Sequence, residues 1–201
     1  SLIGVRDIER TMTKVVYGTG SAKDLRTVAE TAEKFPRIKE LLSGAKCNKL
    51  KGLYSNIDTL EDISSLILDA IDENAPSTVR EGGMIKKGYN AELDMLRGDV
   101  DGSTNILADI EARERERTGI KNLKVRHNKV FGYYIEVTNS FLDKVPEDYI
   151  RKQTLTGCER FLTEELKDIE RRLFSAKDRA VQLEYEIFDS IRKKTAAELV
   201  R

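Results

Sequence analysis

Phe131-Gly132-Tyr133-Tyr134-Ile135-Glu136-Val137-Thr138 alternates with a period of two, and so does Leu123-Lys124-Val125-Arg126 before it. β-Branched and aromatic side chains at alternate positions fit a pleated surface. With Asn128-Lys129 as the turn between them, the two runs read as a β-hairpin. Tyr133, Ile135 and Val137 then share one face, and Tyr134, Glu136 and Thr138 the other. A lone hairpin is only marginally stable, so a third strand near Gln153 to Phe161 is expected to complete a small sheet.

On both sides of this stretch the period is helical. After Thr163, the residues Leu166, Ile169, Leu173, Ala176, Ala180, Leu183 and Ile187 step by three and four, a heptad-type seam that needs a partner helix. A helix of about 30 residues there extends roughly 45 Å at 1.5 Å per residue. Leu93, Leu96, Val100, Leu107 and Ile110 offer a matching stripe upstream. Gly98 and Gly102 interrupt it, each less helix-favouring than Ala by about 1 kcal/mol, and predict a bend or frayed turn. The fold class that follows is mainly α with a small β insertion. A helical core and two long antiparallel helices carry a small antiparallel sheet at their tip. The expected division is 1–115 for the core and first long helix, 116–162 for the β-rich insertion, and 163–201 for the returning helix.

Nearer the N-terminus, Ser21-Ala22-Lys23-Asp24 has the form of a capping box with Asp in place of Glu, opening a helix that Phe35-Pro36 closes. Gly18 and Gly20 read as turn residues, because a phosphate-cradling loop would end in Gly-Lys-Ser/Thr and this one does not. Ile57, Leu60, Ile63, Ile67 and Ile71 predict the core face of an amphipathic helix ending near Asn74-Ala75-Pro76.

Charged residues make up 35% of the 201-residue chain, aromatics 6%, Trp is absent and Pro occurs three times, a balance that favours solvated helices over a sandwich or barrel. Lys and Arg (35) equal Asp and Glu (35), so any basic surface is local. Cys47 and Cys158 form no CxxC pair, which points to the cytoplasm, and no run of 18 apolar residues is present to span a membrane. The chain begins at Ser1-Leu2 without Met and ends in a helical pattern at Leu199-Val200-Arg201, so a longer parent with both ends trimmed is expected.

Local charge is informative. Residues 116–160 hold nine basic side chains (Arg117, Lys121, Lys124, Arg126, Lys129, Lys144, Arg151, Lys152, Arg160) and six acidic ones (Glu116, Glu136, Asp143, Glu147, Asp148, Glu159), three net positive. Either the lysines keep a solvated edge strand from aggregating or they bind an anion. For the second reading the candidates are Lys121, Lys124, Arg126, Lys129, Arg151 and Lys152. His127 joins that basic edge and lacks partners at metal-ligand spacing, so no metal site is expected. Tyr133 and Tyr134 read as packing rather than base-stacking groups, Cys158 as structural, and Glu164-Glu165 as a helix start meeting the dipole rather than a catalytic pair.

The same residues resemble a known family. Arg115-Glu116-Arg117-Thr118-Gly119-Ile120-Lys121-Asn122-Leu123-Lys124-Val125 and Asn128 to Thr138 are similar to the clamp of the bacterial MutS family. So are Val145-Pro146, Tyr149-Ile150-Arg151-Lys152-Gln153-Thr154-Leu155, Glu159-Arg160-Phe161 and Thr163-Glu164-Glu165-Leu166-Lys167. Arg80-Glu81-Gly82-Gly83-Met84-Ile85-Lys86-Lys87-Gly88-Tyr89 and Leu93-Asp94-Met95-Leu96-Arg97 resemble the approach to the family's lever helix. The resemblance implies the lever and clamp of a mismatch repair protein, gripping duplex DNA without reading sequence and linking it to a distant ATPase domain. A Phe-x-Glu mismatch wedge is missing, the nearest segment being Phe141-Leu142-Asp143, and so is a Walker-type loop. The expectation is therefore no catalytic residue and no cofactor in this chain, with ATP and Mg bound elsewhere in the parent protein. Implied partners are double-stranded DNA, a second copy in a full-length homodimer and a MutL-type repair protein, in the bacterial cytoplasm at the nucleoid. The alternative is a coiled-coil arm whose tip binds a protein partner or structured RNA.

Overall fold

The computed structural model describes residues 4–76, 78, 82–128, 130 and 132–198, the side chain of Thr104 excepted. Lys129 and Phe131 of the hairpin, Arg80 and Glu81 of the lever motif, and both terminal segments quoted above lie outside the described residues. The chain forms two compact units. One comprises residues 1–94 and 180–201, the other residues 95–179.

The first unit is helical: α1 (Ile8–Val16), α2 (Ala22–Ala32), α3 (Phe35–Leu42), α4 (Asn48–Asn56) and α5 (Glu61–Ala70), with the start of α6 (Ala91–Thr118) and the end of α7 (Glu164–Ala197). The capping box at Ser21 is present: Ser21 Oγ accepts the Asp24 N–H at 3.2 Å, and Asp24 Oδ2 accepts the Ser21 N–H at 2.9 Å. Val15, Leu25, Ile67, Ile71, Met84, Ile85 and Leu93 are fully buried. Two local expectations change. Phe35-Pro36 does not close α2, which ends at Ala32; Pro36 sits in the first turn of α3, where its missing N–H costs no hydrogen bond. The isoleucine stripe is not one helix. Leu60 adopts a left-handed conformation (φ 51°) at the entry to α5, and Ile71 leaves the helix to bridge Ile85. α3 and α4 bury no residue, although Leu41, Leu50 and Leu53 are apolar and exposed.

In the second unit α6 runs unbroken through Gly98 and Gly102, so the expected fray is absent. The strands are β1 (Lys124–Asn128), β2 (Gly132–Thr138), β3 (Ile150–Thr154) and β4 (Cys158–Leu162), with a short 3-10 helix at Asn139–Lys144. They form one antiparallel sheet in the order β1-β2-β4-β3. The stretch expected as a third strand is a hairpin of two. Thr156-Gly157 turn the chain, and the Leu155 N–H donates to the Cys158 carbonyl at 2.9 Å. Register places Ile135 opposite Phe161 and Val125 opposite Ile135. These residues face a core of Ile110 from α6, Ile120, Leu123, Val137, Tyr149 and Leu166 from α7. Burying each such side chain contributes about 1.5–3 kcal/mol, which is what holds a four-stranded sheet to two helices.

Farther along, the two apolar stripes do not close on each other. Gly98, Gly102 and Ile106 of α6 and Ile169, Leu173 and Ala176 of α7 line a groove of about 860 Å³. Two glycines supply no side chain to fill it, so the heptad seam is only half-buried there.

Candidate nucleic-acid interface

The sheet has a packed face and a charged face. On β2, Ile135 and Val137 are fully buried toward the helices, with Tyr133 partly buried beside them. Tyr134, on the opposite face, is 4% exposed, and the Arg160 guanidinium lies 4.4 Å from its ring centroid. Neither tyrosine presents a free ring to a base. Tyr133 is further covered by His127, whose ring centroid lies 4.8 Å away.

β1 and β3 are the two edges, separated by two strands and hence by about 14 Å at the usual strand spacing. Of the candidate cations, Lys124 and Arg126 stand on β1, Lys121 in the turn before it, and Arg151 and Lys152 on β3. Lys129 is outside the described residues. Lys124, Thr138, Thr154 and Cys158 mark one end of the sheet by register. Asn122 Nδ2 donates to Thr138 Oγ1 at 2.8 Å and the Asn139 N–H to the Gly157 carbonyl at 3.2 Å, so the Lys121 turn and the Thr156-Gly157 turn are each tied to the end of β2.

The arginines and lysines behave differently. Arg117 holds Asp148 with two hydrogen bonds (3.0 and 3.2 Å) and Glu114 with a third (2.9 Å). Arg126 and Arg160 both face Glu136 at 3.5 Å, and Arg151 pairs with the buried Glu159 at 2.8 Å. Among the described residues, Lys121, Lys124 and Lys152 are exposed and carry no ion pair. Arginine's planar fork suits fixed pairs with carboxylates, whereas an unpaired lysine keeps its charge available to solvent and ligands.

Two backbone groups at the start of the β1 edge are held by α6. Glu111 of α6 accepts the Val125 N–H at 2.8 Å, and Arg115 Nε donates to the Leu123 carbonyl at 2.7 Å while pairing with Glu111 at 2.6 Å. Those two groups are thereby withdrawn from strand addition, while Lys124, Arg126 and His127 on β1 stay exposed. Below this, Glu114 is 6% exposed and accepts from the Tyr149 phenol at 2.8 Å. Burial first, and the Glu114 carboxylate second, hold the Tyr149 phenol above its ordinary range. The hydrogen bonds of Arg117 pull Asp148 below the usual carboxylate value. This network fastens the start of β3 to α6.

Residues 88–179 match the MutS family domain IV model. DNA mismatch repair protein MutS of Acetivibrio thermocellus is 50% identical over 200 residues, covering 100% of this chain and 23% of that protein. The protein of that name from Caldicellulosiruptor saccharolyticus is likewise 50% identical over 200 residues, with the same coverage. That of Solibacter usitatus is 44% identical over 200 residues, 100% of this chain and 23% of that protein. The chain belongs to the MutS family. It spans about a quarter of the length of these MutS relatives. The domain IV segment holds the sheet, α6, the first half of α7 and all six candidate cations.

Sequence reasoning missed the side chains that organise this MutS domain. Glu111 and Arg115 sit at i,i+4 on α6, a spacing that signals only a helical ion pair until β1 is docked beside it. Glu114 and Tyr149 are 35 positions apart. Arg160 counted toward the basic balance but was not among the candidates, because nothing local marks it as facing Glu136 across the sheet.

Proposed function

We propose that this chain grips the backbone of duplex DNA without reading its sequence. In this reading residues 116–162 make the contact, and residues 1–115 and 163–201 connect it to an ATPase domain that is not in this chain. The observation that carries it is the separation of the cations: arginines spent on carboxylates of their own unit, lysines left unpaired at Lys121, Lys124 and Lys152. Lysine contacts to phosphate release condensed counterions and give affinity indifferent to base identity. Arg126, Lys129 and Arg151 complete the set of proposed contacts. The chain itself is expected to hydrolyse no ATP, because it lacks a phosphate cradle. ATP with Mg, homodimer formation and a MutL-type partner belong, in this proposal, to the longer protein acting in the cytoplasm at the nucleoid.

The test is a salt titration of duplex binding by fluorescence anisotropy. If about four cations meet phosphate, log K falls against log salt with a slope of roughly −3.6. A flat response, or several-fold preference for a G·T mismatch, sinks the reading. A protein partner is the second reading, favoured by the open groove whose lining includes Ile106, Ile169, Leu173 and Ala176 and also carries Asp99, Glu165, Asp168 and Arg172. It predicts indifference to duplex and structured RNA alike.

A further inference from the structure

Glu136 lies between two arginines on the charged face of the sheet. Arg126 Nε is 3.5 Å from one of its oxygens and Arg160 Nε 3.5 Å from the other. Both distances are long for a charge-assisted hydrogen bond, which closes to about 2.7–2.9 Å when donor and acceptor are free to align. Arg160 Nε is buried and, among the described residues, makes no hydrogen bond. The Arg160 guanidinium is nevertheless held in place: Nη1 donates to Gln153 Oε1 at 2.8 Å, and the Tyr134 ring lies beneath it at 4.4 Å. Arg126 stands opposite Tyr134 in register, and Lys124 opposite Glu136. Two guanidinium groups therefore flank one carboxylate, which satisfies neither Nε well.

We infer that Glu136 is a built-in competitor for DNA phosphate. Arg126 and Arg160 form a preset phosphate seat on the charged face, in which Arg160 is additional to the six candidate cations, and Glu136 occupies it in the free protein. An incoming backbone phosphate has the geometry and charge to align with both guanidinium groups in place of the Glu136 carboxylate. The carboxylate then subtracts from affinity and shortens residence on the duplex. This inference rests on the DNA-binding reading and adds to it a residue that opposes binding.

Anisotropy titrations of a short labelled duplex with the unaltered chain and with Glu136→Gln, Arg126→Gln/Arg160→Gln and the triple combination test it. Glutamine keeps the size of the side chain and removes its charge, and circular dichroism verifies that helix content is retained. Glu136→Gln is expected to tighten binding roughly threefold or more at low salt, by freeing two cations from a nearby carboxylate. In the chain lacking both arginines the same change is expected to alter affinity less than about twofold, because the groups it would release are gone. Arg160→Lys keeps the charge, loses the fork, and is expected to give less of the Glu136→Gln gain. An equal gain in both backgrounds overturns the seat, since it reduces Glu136 to a general charge. No gain with Glu136→Gln also overturns it, while salt-steep binding by the unaltered chain leaves the DNA-binding reading standing. Absence of any binding by the unaltered chain removes both.

Discussion

The start of the β1 edge is tethered to α6, whose Glu111 accepts the Val125 N–H and whose Arg115 donates to the Leu123 carbonyl. The edge formed by β3 is treated otherwise. Its register shifts between Arg151 and Gln153, leaving Lys152 at a bulge, and its side chains turn to their neighbour strand: Arg151 to Glu159, Gln153 to Arg160. One edge is tethered at its start by a neighbouring helix and the other is guarded by irregularity and charge, two ways of managing unpaired strand groups. The difference teaches that the two sets of candidate cations stand on unlike supports. Lys121 and Lys124 stand at the start of a strand tethered to α6, and Arg151 and Lys152 on a bulged one.

The largest effect should come from the centre that both edges share. Ile135→Ala, in the fully buried position facing Phe161 and Val125, is expected to cost about 2–5 kcal/mol. It should loosen both edges together, read as a drop in chemical-denaturation midpoint. If only one edge loses amide protection, the centre of the sheet is not their common support. Glu111→Ala should act on the β1 edge alone. It leaves the Val125 N–H without its acceptor at about 1–3 kcal/mol, and hydrogen exchange at Val125 should speed up while β3 amides keep their protection.

Tyr149→Phe sharpens the other side. It removes the hydrogen bond to Glu114 at the start of β3, for about 0.5–1.5 kcal/mol. The sign of its pH dependence follows from the raised phenol. The folded state holds the Tyr149 proton more tightly than the unfolded state, so this contribution is present below pH 10.0 and is lost as pH rises above it. The difference in stability between the unaltered chain and the Tyr149→Phe variant should therefore shrink in alkali, and one that grows would contradict the geometry. The smallest effect concerns binding. Converting Lys121 and Lys124 to Gln, or Arg151 and Lys152 to Gln, should each reduce the salt slope by roughly 1.8 if both residues of a pair meet phosphate. Unequal losses would show which edge the duplex follows.

What could be read from the chain alone follows this division between local and distant causes. The β2 strand was legible because alternation is a local property, and Ile135 and Val137 fall on the packed face as the period requires. The capping box at Ser21 was legible for the same reason. Thr156-Gly157 is a two-residue turn inside a run of strand-compatible residues, so Gln153 to Phe161 read as one strand instead of a hairpin. Leu60 has the right spacing for the helix face but sits in a left-handed turn closed by Asp58, whose carboxylate accepts the Leu60 N–H at 2.9 Å. For the candidate site, residue type and balance showed that this segment is basic. Which cations are already paired depends on β1, β2 and β4 lying side by side, and no window of sequence contains Arg126, Glu136 and Arg160 in that arrangement.

The bulge at Lys152 bears on how copies of the chain tolerate one another at high concentration. A regular open strand offers evenly spaced amide and carbonyl groups on which a second molecule can lengthen the sheet, and repetition of that step gives a growing ladder. At β3 the spacing is broken between Arg151 and Gln153, and a cation stands at the break. A second β3 approaching in antiparallel fashion would meet mismatched hydrogen-bonding groups and a like charge. The irregular edge thus favours molecules that remain separate when crowded.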